Sequence, residues 1–240
     1  MEKQRLDKIV ASTGKWSRRE VKELVRRGQI LADGAAVRSA DEKFDPEAVT
    51  LTVEGEPLLY RRYTWVMLNK PAGYLSATED GRGPTVLDLL PEELRRQGLF
   101  PVGRLDRDTE GLLLLTNEGA LAHALLSPKR HVDKVYYARA AGRLAEADCR
   151  AFAGGMTLED GFQCQPAVLE ILTAGETSEV LVTLREGKFH QVKRMLAARG
   201  APVMYLERVK MGNLVLDRSL LRGKFRFLTE KETESLRRLV

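Results

Sequence analysis

The feature that most constrains how this chain folds is a loop crowded with charges that runs straight into an apolar segment. The loop spans residues 103–111 (GRLDRDTEG), and residues 112–117 (LLLLTN) follow it. Two glycines bracket three acidic and two basic side chains, and the leucine run predicts a buried strand. A turn that is held by a rigid element is a common way to fix a reactive side chain. The alternative, a solvated turn with incidental ion pairs, stays open from this pattern alone.

Asp106 is the carboxylate of greatest chemical interest in this loop. Arg104 stands two positions before it, and Arg107 follows it directly. A carboxylate close to cations stays ionised, which suits a nucleophile or a base and does not suit a general acid.

Two further segments carry side chains that could take part in chemistry. At 184–195 (LREGKFHQVKRM) a strand ends, the chain turns and a helix begins. Lys193 and Arg194 project sideways from its first turns, where they could approach a carboxylate or phosphates. At 134–137 (KVYY) strand alternation puts Tyr136 and Tyr137 on opposite faces, one of them toward a core or cleft. Taken singly, a solvated basic helix and a packed tyrosine are the alternatives.

Positive charge is concentrated at the start of the sequence. Residues 1–40 hold ten Lys and Arg against five Asp and Glu, which accounts for the whole net charge of +5. A second basic stretch at 185–226 holds eleven against three. The two stretches predict that a polyanion is held from two sides.

The first 50 residues predict two short helices and a hairpin. Ser17 and Glu20 form a capping box, Gly28 ends the helix that follows, and Asp33-Gly34 is typical of a tight turn. This stretch resembles the small RNA-binding module shared by a small-subunit ribosomal protein, several RNA-modifying enzymes and a tRNA synthetase. We therefore expect an RNA-binding module at 1–55, a linker at 56–62 and a larger catalytic domain at 63–240.

Beyond residue 63, strands and helices mix without strict alternation. The predicted strands lie at 64–69, 112–117, 136–140, 167–173, 179–185 and 205–209, and the predicted helices at 87–90, 120–126, 146–154, 191–199 and 230–238. This order predicts an α+β fold, with a mixed, mainly antiparallel sheet flanked by helices.

Together, the three chemical segments resemble one family, the pseudouridine synthases of the small-ribosomal-subunit type, or RsuA family. The similarity lies in the motif at 103–113 (GRLDRDTEGLL), the Lys-x-Tyr at 134–136 and the segment at 186–195 (EGKFHQVKRM). The strand at 67–74 (MLNKPAGY) is similar to the family's first motif.

The resemblance implies that the chain isomerises a uridine of ribosomal RNA, with Asp106 as the catalytic aspartate. Tyr136 would stack on the target base, and Lys193 would pair with Asp106. Two alternatives stay open: Asp106 either attacks the anomeric carbon or accepts a sugar proton, and Tyr137 could replace Tyr136 as the active ring.

The same resemblance and the charge pattern predict a set of RNA contacts from the N-terminal module, the charged loop and the basic helix. They are Arg5, Lys8, Arg18, Arg19, Lys22, Arg26, Arg104, Lys188, His190, Gln191 and Arg194.

The expected partner is ribosomal RNA, and the histidine-containing segment at 190–194 favours 16S RNA, free or in an assembling subunit. The sequence also favours a cytoplasmic protein that binds no membrane, because it opens with polar residues, has two cysteines and lacks an apolar stretch of roughly 18–20 residues. We expect it to be a monomer. Isomerisation involves no redox change and no group transfer, so we expect no cofactor, and the three histidines are too dispersed to predict a metal site.

Three other functions compete with this hypothesis. A synthase acting on the large subunit would share the motifs, and a non-catalytic RNA-binding assembly protein would share the fold. A glycoside or nucleoside hydrolase would use a pair of carboxylates such as Asp106 and Asp108 to break a similar bond. A basic RNA-binding module disfavours the hydrolase, and the combination of Asp106, Tyr136 and Lys193 disfavours the pure binding protein.

Overall fold

The leucine run at 112–115 lies at the centre of the large sheet of the protein. In the computed structural model, which describes residues 3–81 and 83–240, this sheet has nine strands, and the four leucines are fully buried within it. The chain divides into two units. One unit takes the chain up to Thr64 together with Leu90–Leu99, and the other takes Trp65–Leu89 and Phe100–Val240.

The N-terminal unit contains short strands and helices. Its elements are β1 (Gln4–Arg5), α1 (Leu6–Ala11), α2 (Arg18–Arg26), β2 (Ile30–Ala32), β3 (Ala35–Ala36), β4 (Lys43–Phe44), β5 (Leu51–Val53), β6 (Glu56–Pro57) and α3 (Glu92–Arg95). Strand β1 pairs with β4, and the other strands form a sheet in the order β3-β2-β5-β6.

Helix α2 forms where the capping signals predict it. The Ser17 hydroxyl accepts from the Glu20 amide at 3.2 Å, and the Glu20 carboxylate accepts from the Ser17 amide at 2.6 Å. Val21, Leu24 and Val25 are buried on one side of the helix. The apolar spacing therefore turns the basic side chains of α2 away from the core.

The C-terminal unit contains the large sheet and its helices. Its elements are β7 (Trp65–Lys70), β8 (Phe100–Pro101), β9 (Glu110–Thr116), α4 (Gly119–Leu126), β10 (Lys134–Ala141), α5 (Glu146–Gly154), β11 (Val168–Thr173), β12 (Thr177–Leu184), α6 (Gln191–Ala197), β13 (Val203–Met211), β14 (Leu214–Val215), β15 (Phe225–Phe227) and α7 (Glu230–Arg237), with 3-10 turns at Val86–Leu89 and Pro128–Arg130.

The sheet order brings distant segments side by side. The main path runs β11-β12-β10-β13-β9-β7-β15, with β14 on β13 and β8 on β9. The β9–β13 pairing is parallel, while the other pairings described within this sheet are antiparallel. The predicted α+β fold with a mainly antiparallel mixed sheet is confirmed.

Most predicted elements are present, with different ends for several of them. The predicted helix at 87–90 is a 3-10 turn, and no sequence pattern indicated α3 or β15. Nor did it indicate that Leu90–Leu99 belongs with the N-terminal unit. The predicted limits at 55 and 63 stay a prediction. Within the described residues, we find no helix long and apolar enough to span a bilayer.

Gly111 allows β9 and β13 to approach each other closely. Its φ of 95° favours glycine, and a Cβ atom there would lie 2.4 Å from the carbonyl oxygen of Arg208. We expect Gly111→Ala to lower the free energy of unfolding by about 2 kcal/mol or more, as measured by urea denaturation. Gly119→Ala is the control, because no atom lies within 4 Å of its added methyl group. An equal, small effect of both substitutions would contradict the tight approach.

Candidate active site

A cavity of about 400 Å³ in the C-terminal unit brings together the three segments singled out in the sequence. The charged loop supplies Asp106 to its lining, β10 supplies Tyr136, and the turn before α6 supplies His190. The sheet explains why they meet. Gly111 at the end of the loop pairs with Arg208 of β13, and Arg208 pairs with Tyr136 of β10.

Asp106 is held in an ion pair with the basic helix. Its Oδ2 atom lies 3.1 Å from Nζ of Lys193, which also lies 2.6 Å from Oδ1 of Asp108. Burial acts to lower the pKa of Lys193, but hydrogen bonds to Asp108 and Asp106 raise it above its ordinary value. The hydrogen bond from Lys193 likewise lowers the pKa of Asp108. The site therefore holds a fixed cation between two carboxylates.

The two adjacent tyrosines of β10 take different positions. Tyr136 is almost completely buried and lines the cavity. Tyr137 packs edge-on against Tyr205, with ring centroids 6.1 Å apart. Strand alternation places the two rings on opposite faces of β10, and the register of this strand turns Tyr136 toward the cavity.

Lys70 of β7 holds the charged loop in place through hydrogen bonds to its backbone. This lysine is fully buried, and its Nζ donates to the carbonyl oxygens of Pro71, Arg107 and Thr109 at 3.0, 3.2 and 2.8 Å. Two of these carbonyls belong to the loop itself, on the C-terminal side of Asp106. Because an ammonium group has three donors, this one side chain from β7 can donate a hydrogen bond to each of the three carbonyl oxygens.

Ser76 fastens the loop on the N-terminal side of Asp106. Its hydroxyl donates to the carbonyl oxygen of Leu105 and accepts from the Leu105 amide, both at 3.0 Å. The Thr109 amide donates to the Asp106 carbonyl oxygen at 3.1 Å. The backbone around the carboxylate is therefore fixed on both sides, which limits the positions that Asp106 can adopt.

The turn before α6 is held by a buried pair of polar side chains. Gln191 donates to Glu186 at 2.6 Å, and its amide oxygen accepts from the backbone amide of Lys188 at 3.0 Å. Glu186 also accepts from the Gln165 amide at 2.9 Å. Gln191 thus lines the cavity while its amide is engaged within the protein.

Of the other predicted contact residues of this unit, Arg104, Lys188 and His190 line the cavity and Arg194 does not. Arg104 and Lys188 are exposed and line it, while His190 Nε2 lies 3.7 Å from Asp106 Oδ1. Arg194 lies outside the lining and forms an ion pair with Asp160.

The basic residues predicted in the N-terminal unit differ in what they contact. Lys8 is exposed, as are the α2 residues Arg18, Arg19, Lys22 and Arg26. Arg26 pairs with Glu23 on its own helix. Arg5 pairs with Asp41 and with the buried Asp7, whose pKa the Arg5 hydrogen bond lowers. Arg5 is thus committed to contacts inside its unit.

Sequence reasoning did not assign roles to Lys70, Ser76 or the Asp108–Lys193 contact. A lysine at the end of an apolar strand segment (WVMLNK) was a usable signal for Lys70, because a buried cation needs partners. No comparable signal marked Ser76, which acts through a contact 29 residues away.

Comparison with known proteins gives consistent matches. The family described as RNA pseudouridylate synthase matches residues 64–198, and the S4 domain matches residues 4–49. The uncharacterised RNA pseudouridine synthase YtzG of Bacillus subtilis is 47% identical over 97% of this chain and 98% of its own. The ribosomal small subunit pseudouridine synthase A of Escherichia coli is 38% identical over 97% and 99%. A solved pseudouridylate synthase structure is similar with a TM-score of 0.68 at 37% identity, covering 97% and 99% of the two chains.

The lowered pKa of the buried Lys70 predicts that the stability of the protein depends on pH. Burial lowers the pKa of Lys70 from 10.5 to about 8, although nearby carboxylates oppose the shift. Between these values the unfolded chain keeps the proton that the folded chain releases, so this lysine's contribution to the free energy of unfolding increases with pH. We expect the difference in unfolding free energy between the unmodified protein and Lys70→Met to increase by about 1 kcal/mol from pH 7 to pH 9.

Urea denaturation at several pH values measures this difference. Lys134, whose pKa burial also lowers to about 8, is present in both proteins and cancels. A difference that stays constant over this pH range would show that the carbonyl partners offset burial, because Lys70 would then keep its proton in both the folded and the unfolded chain.

Proposed function

Because this chain belongs to the RNA pseudouridylate synthase family, we propose that it converts one uridine of ribosomal RNA, in the 16S RNA of the small subunit, to pseudouridine. The observation that carries the proposal is the 3.1 Å ion pair between Asp106 and Lys193 at a cavity that Tyr136 also lines. The choice of small-subunit RNA rests on the E. coli relative, whose name states that subunit.

The reaction breaks the bond between the ribose and N1 of uracil, turns the base and forms a bond from C5 to the same ribose carbon. As the base leaves, positive charge develops on the sugar. The carboxylate of Asp106 stabilises that charge, either by bonding to the anomeric carbon or by accepting a sugar proton. A fixed charge in a partly dry site does this better than water, because it needs no reorientation.

Lys193 and Tyr136 have supporting roles in this mechanism. The Lys193 ammonium favours the ionised form of Asp106 and fixes the direction of its carboxylate. The ring of Tyr136 stacks on the uracil and returns about 1–3 kcal/mol of the stacking energy lost when the nucleotide leaves the RNA. The proton on C5 leaves after the new bond forms. We assign its removal to Tyr136, which lines the cavity.

The N-terminal unit supplies affinity in this proposal. Its exposed basic helix contacts phosphates, which position the RNA without reading the sequence. The whole reaction is an isomerisation, so the proposal requires no cofactor. We assign the protein to the cytoplasm, because unmodified ribosomal RNA is found there, and we propose that it acts as a monomer.

Tritium release tests the reaction and the role of Asp106. The substrate is unmodified 16S RNA labelled at C5 of its uridines, because a C5 proton is lost only when C5 bonds to the sugar. We expect Asp106→Asn to lower the release rate by at least about 10³-fold. The matched control is Asp108→Asn, on the same loop, which we expect to stay within about tenfold, because Lys193 still contacts Asp106.

Each alternative function gives a different result in this assay. Release of free uracil without tritium loss would favour a hydrolase. Tritium release from 23S RNA alone would move the target to the large subunit. No release from any RNA, naked or partly assembled, would favour a non-catalytic binding protein.

The salt dependence of RNA binding tests the role of α2. We expect replacing its exposed cations with glutamine to reduce the slope of log K against log salt concentration by up to about 3, measured by filter binding to 16S RNA. The four replaced residues are Arg18, Arg19, Lys22 and Arg26. The control replaces Arg150 and Arg238, exposed arginines that each pair with a glutamate one turn away, and should leave the slope unchanged. An unchanged slope in the α2 variant would contradict its role.

A further inference from the structure

An exposed aromatic ring stands at the rim of the cavity. Phe189 is 76% exposed although it lines the cavity. Its ring stacks on the imidazole of His190, with centroids 3.8 Å apart and planes 16° from parallel. Isolated exposed apolar residues are common, so exposure alone does not indicate a binding role for Phe189. In this residue, however, His190 covers one face of the ring and the other face is left to solvent.

The stacked pair continues outward from the catalytic carboxylate. Nε2 of His190 lies 3.7 Å from Oδ1 of Asp106, and Phe189 lies on the His190 ring. Carboxylate, imidazole and phenyl ring thus follow one another from the cavity wall to the rim. A nucleotide that reacts at Asp106 is joined covalently to its neighbours, so the neighbouring bases must lie close to the opening of the cavity, where Phe189 stands.

The stacked pair is also held in a fixed position. His190 has a φ of 50°, in the left-handed region, which is strained for a residue with a Cβ atom. The buried Gln191–Glu186 hydrogen bond and the bond from the Lys188 amide to Gln191 hold this turn in place. A platform that is already ordered loses little entropy when a ligand binds.

Two cations line the same cavity as Phe189. They are Arg104 and Lys188, and both are exposed. Basic side chains for phosphates, next to an aromatic face for a base, are the combination that binds single-stranded nucleic acids.

We propose that Phe189, supported by His190, is a binding subsite for the nucleobase next to the flipped uridine. The inference rests on the proposed function, since the reacting uridine defines the neighbouring position. The stacking is tolerant of base identity, because every base presents a π face. Phe189 contributes affinity for the RNA strand and takes no part in the chemistry at Asp106.

The test compares Phe189→Leu, which keeps an apolar side chain without a ring, with Phe189→Tyr, which keeps the ring. Tritium release is measured on 16S and 23S transcripts labelled at C5, with KM and kcat determined separately. We expect Phe189→Leu to raise KM by about 5- to 100-fold, because one stacked base is lost, and to keep kcat within about threefold. Phe189→Tyr should behave like the unmodified protein, and both variants should keep its melting temperature.

Three results would overturn the subsite. They are a KM for Phe189→Leu within about twofold of the unmodified protein, equal impairment by Leu and Tyr, and a lower kcat at constant KM. The last would mean that Phe189 only supports the position of His190 and Asp106. The salt slope of RNA binding should not change in Phe189→Leu, since the ring contacts no phosphate.

Failure of the proposed function gives a separate signal. If the unmodified protein releases no tritium from either transcript, the subsite is tested by binding alone, with a uridine-rich single-stranded oligonucleotide that contains 2-aminopurine. Stacking on Phe189 quenches the fluorescence of this base. Quenching by the unmodified protein and not by Phe189→Leu would support the subsite, and equal quenching by both would overturn it.

Discussion

The close parallel pairing of β9 with β13 is the constraint on which the site depends. It requires a residue without a Cβ atom at Gly111, where the backbone of Arg208 leaves no room for one. Because β13 also pairs with β10, this approach sets the end of the charged loop against Tyr136. A strand register thus determines which ring faces Asp106.

Side-chain hydrogen bonds to the loop backbone fix the geometry of the charged loop. The charged loop contains no helix or strand before residue 110, so its shape depends on contacts from other segments. The Lys70 ammonium holds carbonyls that follow Asp106, and Ser76 holds the peptide of Leu105 that precedes it. Lys70 and Ser76 are both buried, so water does not compete for these hydrogen bonds. Preorganisation of this kind is what electrostatic catalysis needs, since a carboxylate that moves would lose its alignment with the sugar.

The opposite wall of the cavity is organised by the same principle. The buried Glu186–Gln191 pair holds the turn that carries His190 and Phe189, while Lys193 reaches from α6 to the two loop carboxylates. The charges closest to the proposed reaction are thus partnered within the protein, and the cations at the rim remain exposed. In the proposed function, this division separates positioning of the reacting groups from affinity for the RNA strand.

The sequence by itself determined most of the longer elements, the α+β class, the basic N-terminal helix and the three segments that meet at the cavity, because each is encoded by local spacing and charge. The Asp106–Lys193 pair was predicted from family resemblance and is present at 3.1 Å. Only the tertiary structure decided that Tyr136 lines the cavity in place of Tyr137, that Lys70 and Ser76 hold the loop, and that Asp108 shares Lys193. These features depend on strand register and on contacts between residues far apart in the chain, which local periodicity does not encode.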